Sequence, residues 1–361
     1  MSELNENRAK LEKIDAEMAE LFSKRMEVAK SIAEYKRQNG LPILDKEREK
    51  ALIEKNSAHI GDDEMREYYV QFMKDVMKIS RNVQSRVING RRIAYCGTEG
   101  AFGCMAAQKQ FPEAALIAYP DFASAYSAVE SGECDGAVLP IENSCAGDVG
   151  SVMDLLFSGS LYVNNVIELD VMQNLVAIPG TRPDEIKTVV SHPQALEQCS
   201  EYISSRNLKT ISYSNTALAA QAVREKNDRT VAAIASEETA KLFDMEIIAR
   251  GINNAHVNTT RFVVLSRSLR MPSPDSKNEN EHFILLFTTK NEAGALAQPL
   301  NIIGAHDFNM RNLRSRPMKD LLWSYYFFVE AAGNISSQNG QNMLRELSAV
   351  CAQLKLVGTY N

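Results

Sequence analysis

The sequence predicts a multidomain chain: an all-α helical N-terminal domain over residues 1–88, a two-lobed α/β middle domain over 91–267 and an α+β C-terminal domain over 281–361. Three observations carry this. Residues 4–37 hold no glycine or proline and repeat apolar residues in alternating steps of three and four, the seam of a long helix. From Arg91 short apolar runs alternate with helical stretches, as in a sheet flanked by helices. After Pro272-Ser-Pro-Asp-Ser-Lys-Asn-Glu-Asn280, a linker by composition, the pattern reads βαββαβ.

The first segment has its seam at Leu11, Ile14, Met18, Leu21, Val28, Ile32 and Tyr35. The same register places Arg8 and Arg25 where an apolar residue is expected, and Lys36 follows within about 20° of the face of Arg25. One cation at a helix edge is ordinarily a snorkelling side chain, the bland reading of Arg8 taken alone, but three cations together point towards a buried surface. Arg25 lies in mid-seam, where an unpaired buried charge is costly, so it requires an anion. Gly40-Leu-Pro ends this helix, Asp45-Lys-Glu-Arg-Glu49 opens a second, and Gly61-Asp-Asp opens a third with Tyr69, Phe72, Met73, Val76 and Ile79 inward. A helix of some 34 residues spans roughly 50 Å, too long to bury its seam on two shorter partners, so a homodimer sharing it is expected.

In the middle, strands are expected at Gly136–Ile141, Leu175–Ile178, Thr188–Ser191, Thr210–Tyr213, Val231–Ala235 and Phe262–Leu265, with the chain leaving a first lobe near Ile167 and returning near Asn253. Two crossings make a hinge and a cleft. Gly136-Ala-Val-Leu-Pro-Ile-Glu-Asn-Ser-Cys-Ala-Gly-Asp-Val-Gly150 is a buried strand opening into a loop, which puts Glu142, Asn143 and Ser144 at the strand's carboxyl end, where open α/β sheets bind ligands. Taken singly, Glu-Asn-Ser closes a turn, Ser191-His-Pro-Gln194 joins a strand to a helix, and Thr259-Thr260 starts a β-rich strand. Gly97, Gly100 and Gly103 are three apart at both steps, unlike GxGxxG, so no nicotinamide cofactor is expected.

Composition narrows the partners. The 361 residues carry a net charge of -6 and a pI near 5.6, with no long basic segment, which argues against nucleic acid and for a small-molecule partner. The six cysteines lack CxxC spacing and no histidine pair has ligand spacing, so a reducing compartment and no structural metal are expected. The longest apolar runs, such as Phe283–Phe287, are too short to span a bilayer, so no membrane partner and a cytoplasmic location are expected.

Arg8, Arg25, Lys36, Asp45, Arg48, Glu49, Ser80 and Gln84 fall at spacings that resemble those of the all-helical chorismate mutase domain. The resemblance implies that Arg25 and Arg48, with Arg8 from the other protomer, bind the carboxylates of chorismate. It also implies that Lys36 and Gln84 hydrogen-bond the ether oxygen and that Glu49 and the Asp45 region hold the ring hydroxyl. PIENSxxGxV, SHPQ and TTRF, in this order, resemble prephenate dehydratase, whose two-lobed domain is periplasmic-binding-protein-like. This implies that Thr260 donates a proton to the departing ring hydroxyl as carbon dioxide is lost, in a cleft shaped by Glu142, Asn143, Ser191, Gln198, Arg261 and Phe262. The glycine loop departs from the usual family pattern, since Ala101 and Gly103 lack hydroxyls.

The βαββαβ segment resembles an ACT-type regulatory domain. Gly294-Ala295-Leu296 and Ser315-Arg316-Pro317 resemble its phenylalanine-binding motifs, with Arg314 where an acid is usual, either repelling Arg316 and weakening the site or, as expected, pairing with Glu292 and preserving it. Gly294, ahead of a helix, would offer free amides to a carboxylate; the alternative is a module that only dimerises. Together the resemblances imply a bifunctional enzyme, chorismate to prephenate to phenylpyruvate, with phenylalanine as effector and a homodimer or higher homo-oligomer as its state. The competing class is a non-catalytic amino-acid sensor on a two-lobed binding fold, which would require neither cations in the seam nor Thr260.

Overall fold

The glycine-free, proline-free start of the chain forms one helix, α1 (Glu3–Gln38), in the computed structural model, which describes residues 3–255, 257–276, 278–318 and 324–361. The helix stops where Gly40 takes a left-handed φ of +64°, a conformation glycine adopts without strain. Asp45 caps α2 (Lys46–Ser57), its carboxylate accepting from Arg48 N–H at 3.0 Å, and Asp62 caps α3 (Asp63–Asn89) in the same way through Met65 N–H at 2.9 Å. Residues 1–92 form one compact unit and residues 93–361 a second.

Within the first unit, Met26, Ala29 and Ala33 of α1 are buried with Met73, Val76 and Met77 of α3. The expected seam is a different stripe. Leu11, Ile14, Met18, Leu21, Val28, Ile32 and Tyr35 are all exposed in the single chain, as are Phe72 and Ile79 of α3, which were expected to face inward. The two shorter helices cover one side of α1, and the seam lies about 100° round from it, one residue along the helix.

The second unit opens with β1 (Arg92–Cys96), α4 (Phe102–Gln110), β2 (Ala115–Tyr119), α5 (Phe122–Glu130), β3 (Gly136–Asn143), β4 (Gly147–Asp148), α6 (Gly150–Ser158) and β5 (Tyr162–Asp170). The second lobe follows: β6 (Asn174–Ala177), β7 (Thr188–Ser191), α7 (Pro193–Gln198), α8 (Ser200–Ser205), β8 (Lys209–Ser212), α9 (Thr216–Lys226), β9 (Val231–Ala235), α10 (Glu237–Leu242) and β10 (Glu246–Ala249). The chain then returns as β11 (Thr259–Ser266), giving sheets β5-β11-β3-β1-β2 and β10-β6-β9-β7-β8. Strands β2, β5 and β10, and the two-residue β4, were not expected. β2 and β10 are sheet edges, and β5 carries Asn164, Asn165, Glu168 and Asp170 on a strand whose buried residues are only Val163 and Ile167.

The two crossings lie at 171–173 and 252–258 and are laced together. Val171 N–H donates to Asn258 O at 2.7 Å, Ile252 N–H to Gln173 O at 2.9 Å, and the Asn253 amide bridges Gln173 N–H and Val171 O at 2.8 and 3.1 Å.

The last elements are β12 (His282–Thr288), α11 (Ala297–Ala305), β13 (Asn309–Pro317), β14 (Tyr325–Ala332), α12 (Gln338–Val350) and β15 (Gln353–Tyr360). The strand expected from Trp323 begins at Tyr325, and Trp323 itself lies outside the described residues. The sheet runs β13-β14-β12-β15 and continues into β5 through one parallel pairing, Gly358 with Val163. A Cβ at Gly358 would lie 2.2 Å from Val163 O, so only glycine permits this approach. Phe283–Phe287 is apolar at every position because both faces are covered: Phe283, Leu285 and Phe287 share a core with Ile303, Met343 and Leu347 of α11 and α12, while Ile284 and Leu286 share one with Val152, Met153 and Leu156 of α6.

Candidate active sites

In the first unit, one turn of α3 ties the three helices together. The Arg25 guanidinium donates to Ser80 Oγ, and the next residue, Arg81, grips both oxygens of Glu49 at 2.5 and 2.6 Å. Gln84, a turn further on, is buried, and its Oε1 has no hydrogen-bond partner among the described residues. Such an atom costs about 1 to 3 kcal/mol unless a ligand engages it, and rotating the amide would present its N–H donors instead. Lys36 donates to Ile43 O at 2.6 Å. Asp45 is spent on the α2 cap, and Arg48 and Arg8 are exposed. Arg8 stands about 26 Å along α1 from Arg25. Arg81 escaped sequence reasoning; its one signal was its place inside the Ser80–Gln84 turn.

In the second unit, β3 and β11 run antiparallel, with Asn143 opposite Thr260 and Glu142 opposite Arg261. Asn143 Oδ1 accepts from Cys145 and Ala146 N–H at 3.0 and 2.8 Å, which fixes the amide's orientation. Its Nδ2 then donates to Asn258 Oδ1 at 2.7 Å and to Thr260 Oγ1 at 2.9 Å, using both hydrogens. The Thr260 hydroxyl is therefore an acceptor towards Asn143, and its own proton is left to donate elsewhere. Asn258 Nδ2 continues to Gln198 Oε1 at 3.0 Å, linking the returning segment to α7. A cavity of about 440 Å³ lies beyond Asn258, lined by Cys145, the carboxylate residue Glu197 and the amides Gln194, Gln198, Asn253, Asn254 and Asn258; Asn143 and Thr260 stand behind Asn258 rather than in its lining. Nothing about Asn258 in the sequence, beyond its place just before Thr259, marks this bridging role, which needs the fold.

Other expected residues lie elsewhere. Ser191 is fully buried and spends its hydroxyl on Ile234 O at 2.7 Å, bracing β7 on β9. His192 caps α7, accepting Gln194 N–H on Nδ1 at 3.2 Å, and burial holds its pKa below the ordinary range, in keeping with an acceptor nitrogen. Glu142 and Arg261 do not face the cleft. Strand alternation turns them to the opposite side, where Glu142 meets Arg261 and Arg314, and Arg261 forks onto Glu330. Phe262 is only 2% exposed and packs in the core with Ile93, Tyr95 and Val138.

Arg314 pairs with Glu142 and Asp148, not with Glu292, which is exposed. Arg316 donates to Asp154 and to Tyr326 Oη, its guanidinium lying where a Cβ on Gly150 would be. Gly294, Ser315 and Pro317 are exposed, whereas the Ala295 and Ala297 N–H groups are turned back onto Glu292 O and Gly294 O rather than left free. In the glycine loop, Thr239 Oγ1 donates to Gly100 O at 2.8 Å across the lobes, and a Cβ at Gly103 would lie 2.9 Å from Cys96 O, so close packing of α4 on β1 leaves no room for a hydroxyl there.

Two family models match the chain: chorismate mutase type II over residues 7–85 and prephenate dehydratase over residues 93–269. A bifunctional chorismate mutase/prephenate dehydratase of Neisseria gonorrhoeae is 31% identical, the match covering 98% of this chain and 96% of the relative. Among solved structures, a prephenate dehydratase from Arthrobacter aurescens in complex with L-Phe matches with a TM-score of 0.69 at 25% identity, covering 74% of this chain and 89% of that one. A protein described as a novel type of quorum-quenching acylase matches with a TM-score of 0.68 at 30% identity, covering 75% of this chain and 97% of that one.

Fold and sites thus define an enzyme with a helical module followed by a two-lobed α/β module. The chain belongs to the bifunctional chorismate mutase/prephenate dehydratase family. It works in phenylalanine biosynthesis, rearranging chorismate to prephenate and then dehydrating and decarboxylating prephenate to phenylpyruvate.

Proposed function

We propose that Thr260 is the proton donor of the dehydration, and the hydrogen bond from Asn143 to its Oγ1 is the observation that carries this reading. Threonine is a weak acid, so the mismatch with a leaving hydroxyl must be offset. An amide N–H held on Oγ1 stabilises the oxygen as its proton departs, and Asn143 is itself fixed by two backbone N–H groups, so it need not reorganise. As the ring carboxylate leaves as carbon dioxide, its bonding pair enters the ring. The C–O bond at the far side breaks, and the hydroxyl departs as water with the proton of Thr260. Aromatisation supplies the driving force. Asn258, Gln198 and the other amides of the cavity hydrogen-bond the substrate, while Ser191 and Phe262 support the cleft from behind.

The mutase reaction needs no nucleophile or proton transfer, only a folded substrate and donors at the oxygen where charge grows. Arg25 and Arg48 bind the carboxylates of chorismate. Arg8 serves the site of a second protomer, since it is too far along α1 to serve its own. Lys36 and Gln84 address the ether oxygen, Glu49 the ring hydroxyl, and Ser80 and Arg81 orient Arg25 and Glu49. The exposed apolar seam of α1 supports a homodimer built on that helix.

The C-terminal segment acts as an ACT-type module that binds phenylalanine through residues 294–296 and 315–317 and inhibits dehydration. Its βαββαβ order and the L-Phe complex of the Arthrobacter relative support this. No helix among the described residues is long and apolar enough to cross a membrane. Supplying chorismate, then prephenate, to the purified protein with and without phenylalanine tests the reading. Loss of chorismate and phenylalanine-sensitive appearance of phenylpyruvate are expected, and calorimetry without phenylalanine binding would leave the module a dimerisation domain.

A further inference from the structure

The catalytic strand pair has a second side. Asn143–Thr260 and Glu142–Arg261 are successive cross-strand pairs of β3 and β11, so one step of the ladder carries the cleft residues forward and an ion network backward. In that network Arg261 reaches Glu330 at 2.8 and 3.0 Å, Tyr360 Oη at 3.1 Å and Glu142 at 3.4 Å. Arg314, from edge strand β13, bridges Glu142 and Asp148, which stand opposite each other across the β3–β4 hairpin. The five charged side chains are 6–29% exposed, so their interactions are only partly screened. The same C-terminal module holds both ends of the following helix: Arg316 pairs with Asp154 beside Gly150, and Lys355 donates to Leu156 O and Gly159 O at the other end of α6.

We propose that Arg314 is a positioning residue for dehydration, through which the C-terminal module sets the β3–β4 hairpin and hence the Asn143 amide that holds Thr260. Its cation is shared by two carboxylates facing each other across the hairpin. Without it, Asp148 loses its cation and Glu142 keeps only the 3.4 Å contact with Arg261, so the two carboxylates repel and the hairpin carrying Asn143 opens from its back face. Strand β11 stays fixed, because Arg261 keeps Glu330 and Tyr360. The separation between Asn143 and Thr260 is therefore what changes. This inference rests on the reading of Thr260 as proton donor.

The test uses the full chain and measures dehydratase kcat and KM for prephenate, the mutase rate and thermal unfolding. Arg314→Ala should lower kcat about 2- to 30-fold, the range for residues coupled to a site through a network, with KM little changed because Arg314 does not touch the cleft. Arg314→Lys should restore part of the loss. Adding Asp148→Asn to Arg314→Ala should raise kcat above that of the single variant, since it removes the repulsion, whereas a merely structural role predicts additive losses. Unchanged kcat, an effect on KM alone, or additive losses would overturn the proposal. If Arg314→Ala does not fold, Arg314→Lys and the double variant decide in the same way. Thr260→Val, run in parallel, separates the two readings: retained turnover there removes the proton donor, whatever Arg314 does.

Discussion

Replacing Thr260 by valine exchanges a hydroxyl for a methyl group of nearly the same size at a position 9% exposed. The consequences divide into two parts. For stability, the Nδ2 hydrogen of Asn143 that pointed at Oγ1 loses its better acceptor and keeps only Thr259 O at 3.4 Å, while the other keeps Asn258, so the cost is at most that of one unsatisfied buried donor, about 1 to 3 kcal/mol. For activity, the Asn143 amide stays fixed by Cys145 and Ala146 N–H, so the cleft keeps its geometry and only the proton is lost. Removing a positioned acid typically costs on the order of 100- to 10,000-fold. The assay is formation of phenylpyruvate at saturating prephenate, with the mutase rate of the same sample as internal control. Prephenate should accumulate from chorismate, and Thr260→Ser, which keeps a hydroxyl, should recover most of the turnover. Near-normal phenylpyruvate formation by a folded valine variant would refute the reasoning and leave aromatisation and cleft shape to carry the reaction.

The first unit offers two further tests. Arg25→Ala should lower mutase turnover roughly 100- to 1000-fold while dehydration of added prephenate continues; a parallel fall in both rates would show that the activities are not divided as proposed. Gln84→Leu removes a buried oxygen without a partner, so it should raise the melting temperature of the helical unit and lower mutase turnover, and a destabilised variant would contradict the unpaired state of Oε1. Acid stability should depend on Glu330. Burial alone would raise the pKa of its carboxyl, but the hydrogen bonds and charge of Arg261 and the Tyr360 hydroxyl bring it below the usual range. Its contribution is thus complete above the unfolded value of about 4.3 and fades as pH falls through the depressed one, so Glu330→Gln should flatten the acid limb of an unfolding profile.

The sequence was informative where a residue's chemistry depends on its own strand or helix. Asn143 and Thr260 ended one apolar run and began another, which is enough to place both at strand ends. It was uninformative where a face is decided by what covers it. Glu142 and Arg261 are each one residue from Asn143 or Thr260, and nothing local says that the back of the ladder is occupied by β13, β14 and β15. The α1 seam shows the same limit: the periodicity identifies a stripe to be buried, while the chain's own helices bury the neighbouring one through Met26, Ala29 and Ala33. Strand β5 was hidden by its two asparagines, both of which act within the sheet or its edge, Asn164 reaching Ser266 and Ser268 and Asn165 its neighbour's N–H.

The two-sided burial of β12 bears on how the polypeptide is made. Ile284 and Leu286 complete a core that includes Val152, Met153 and Leu156, which leave the ribosome more than a hundred residues earlier. At about 5 to 20 residues per second, the stretch from residue 271 to 361 takes roughly 5 to 20 s to emerge. Throughout that interval the nascent lobes present a bare apolar surface on α6, and β5 lacks the neighbour that β15 will provide. A chain ending at Arg270 would keep that surface permanently, which makes it a target for chaperones and for self-association.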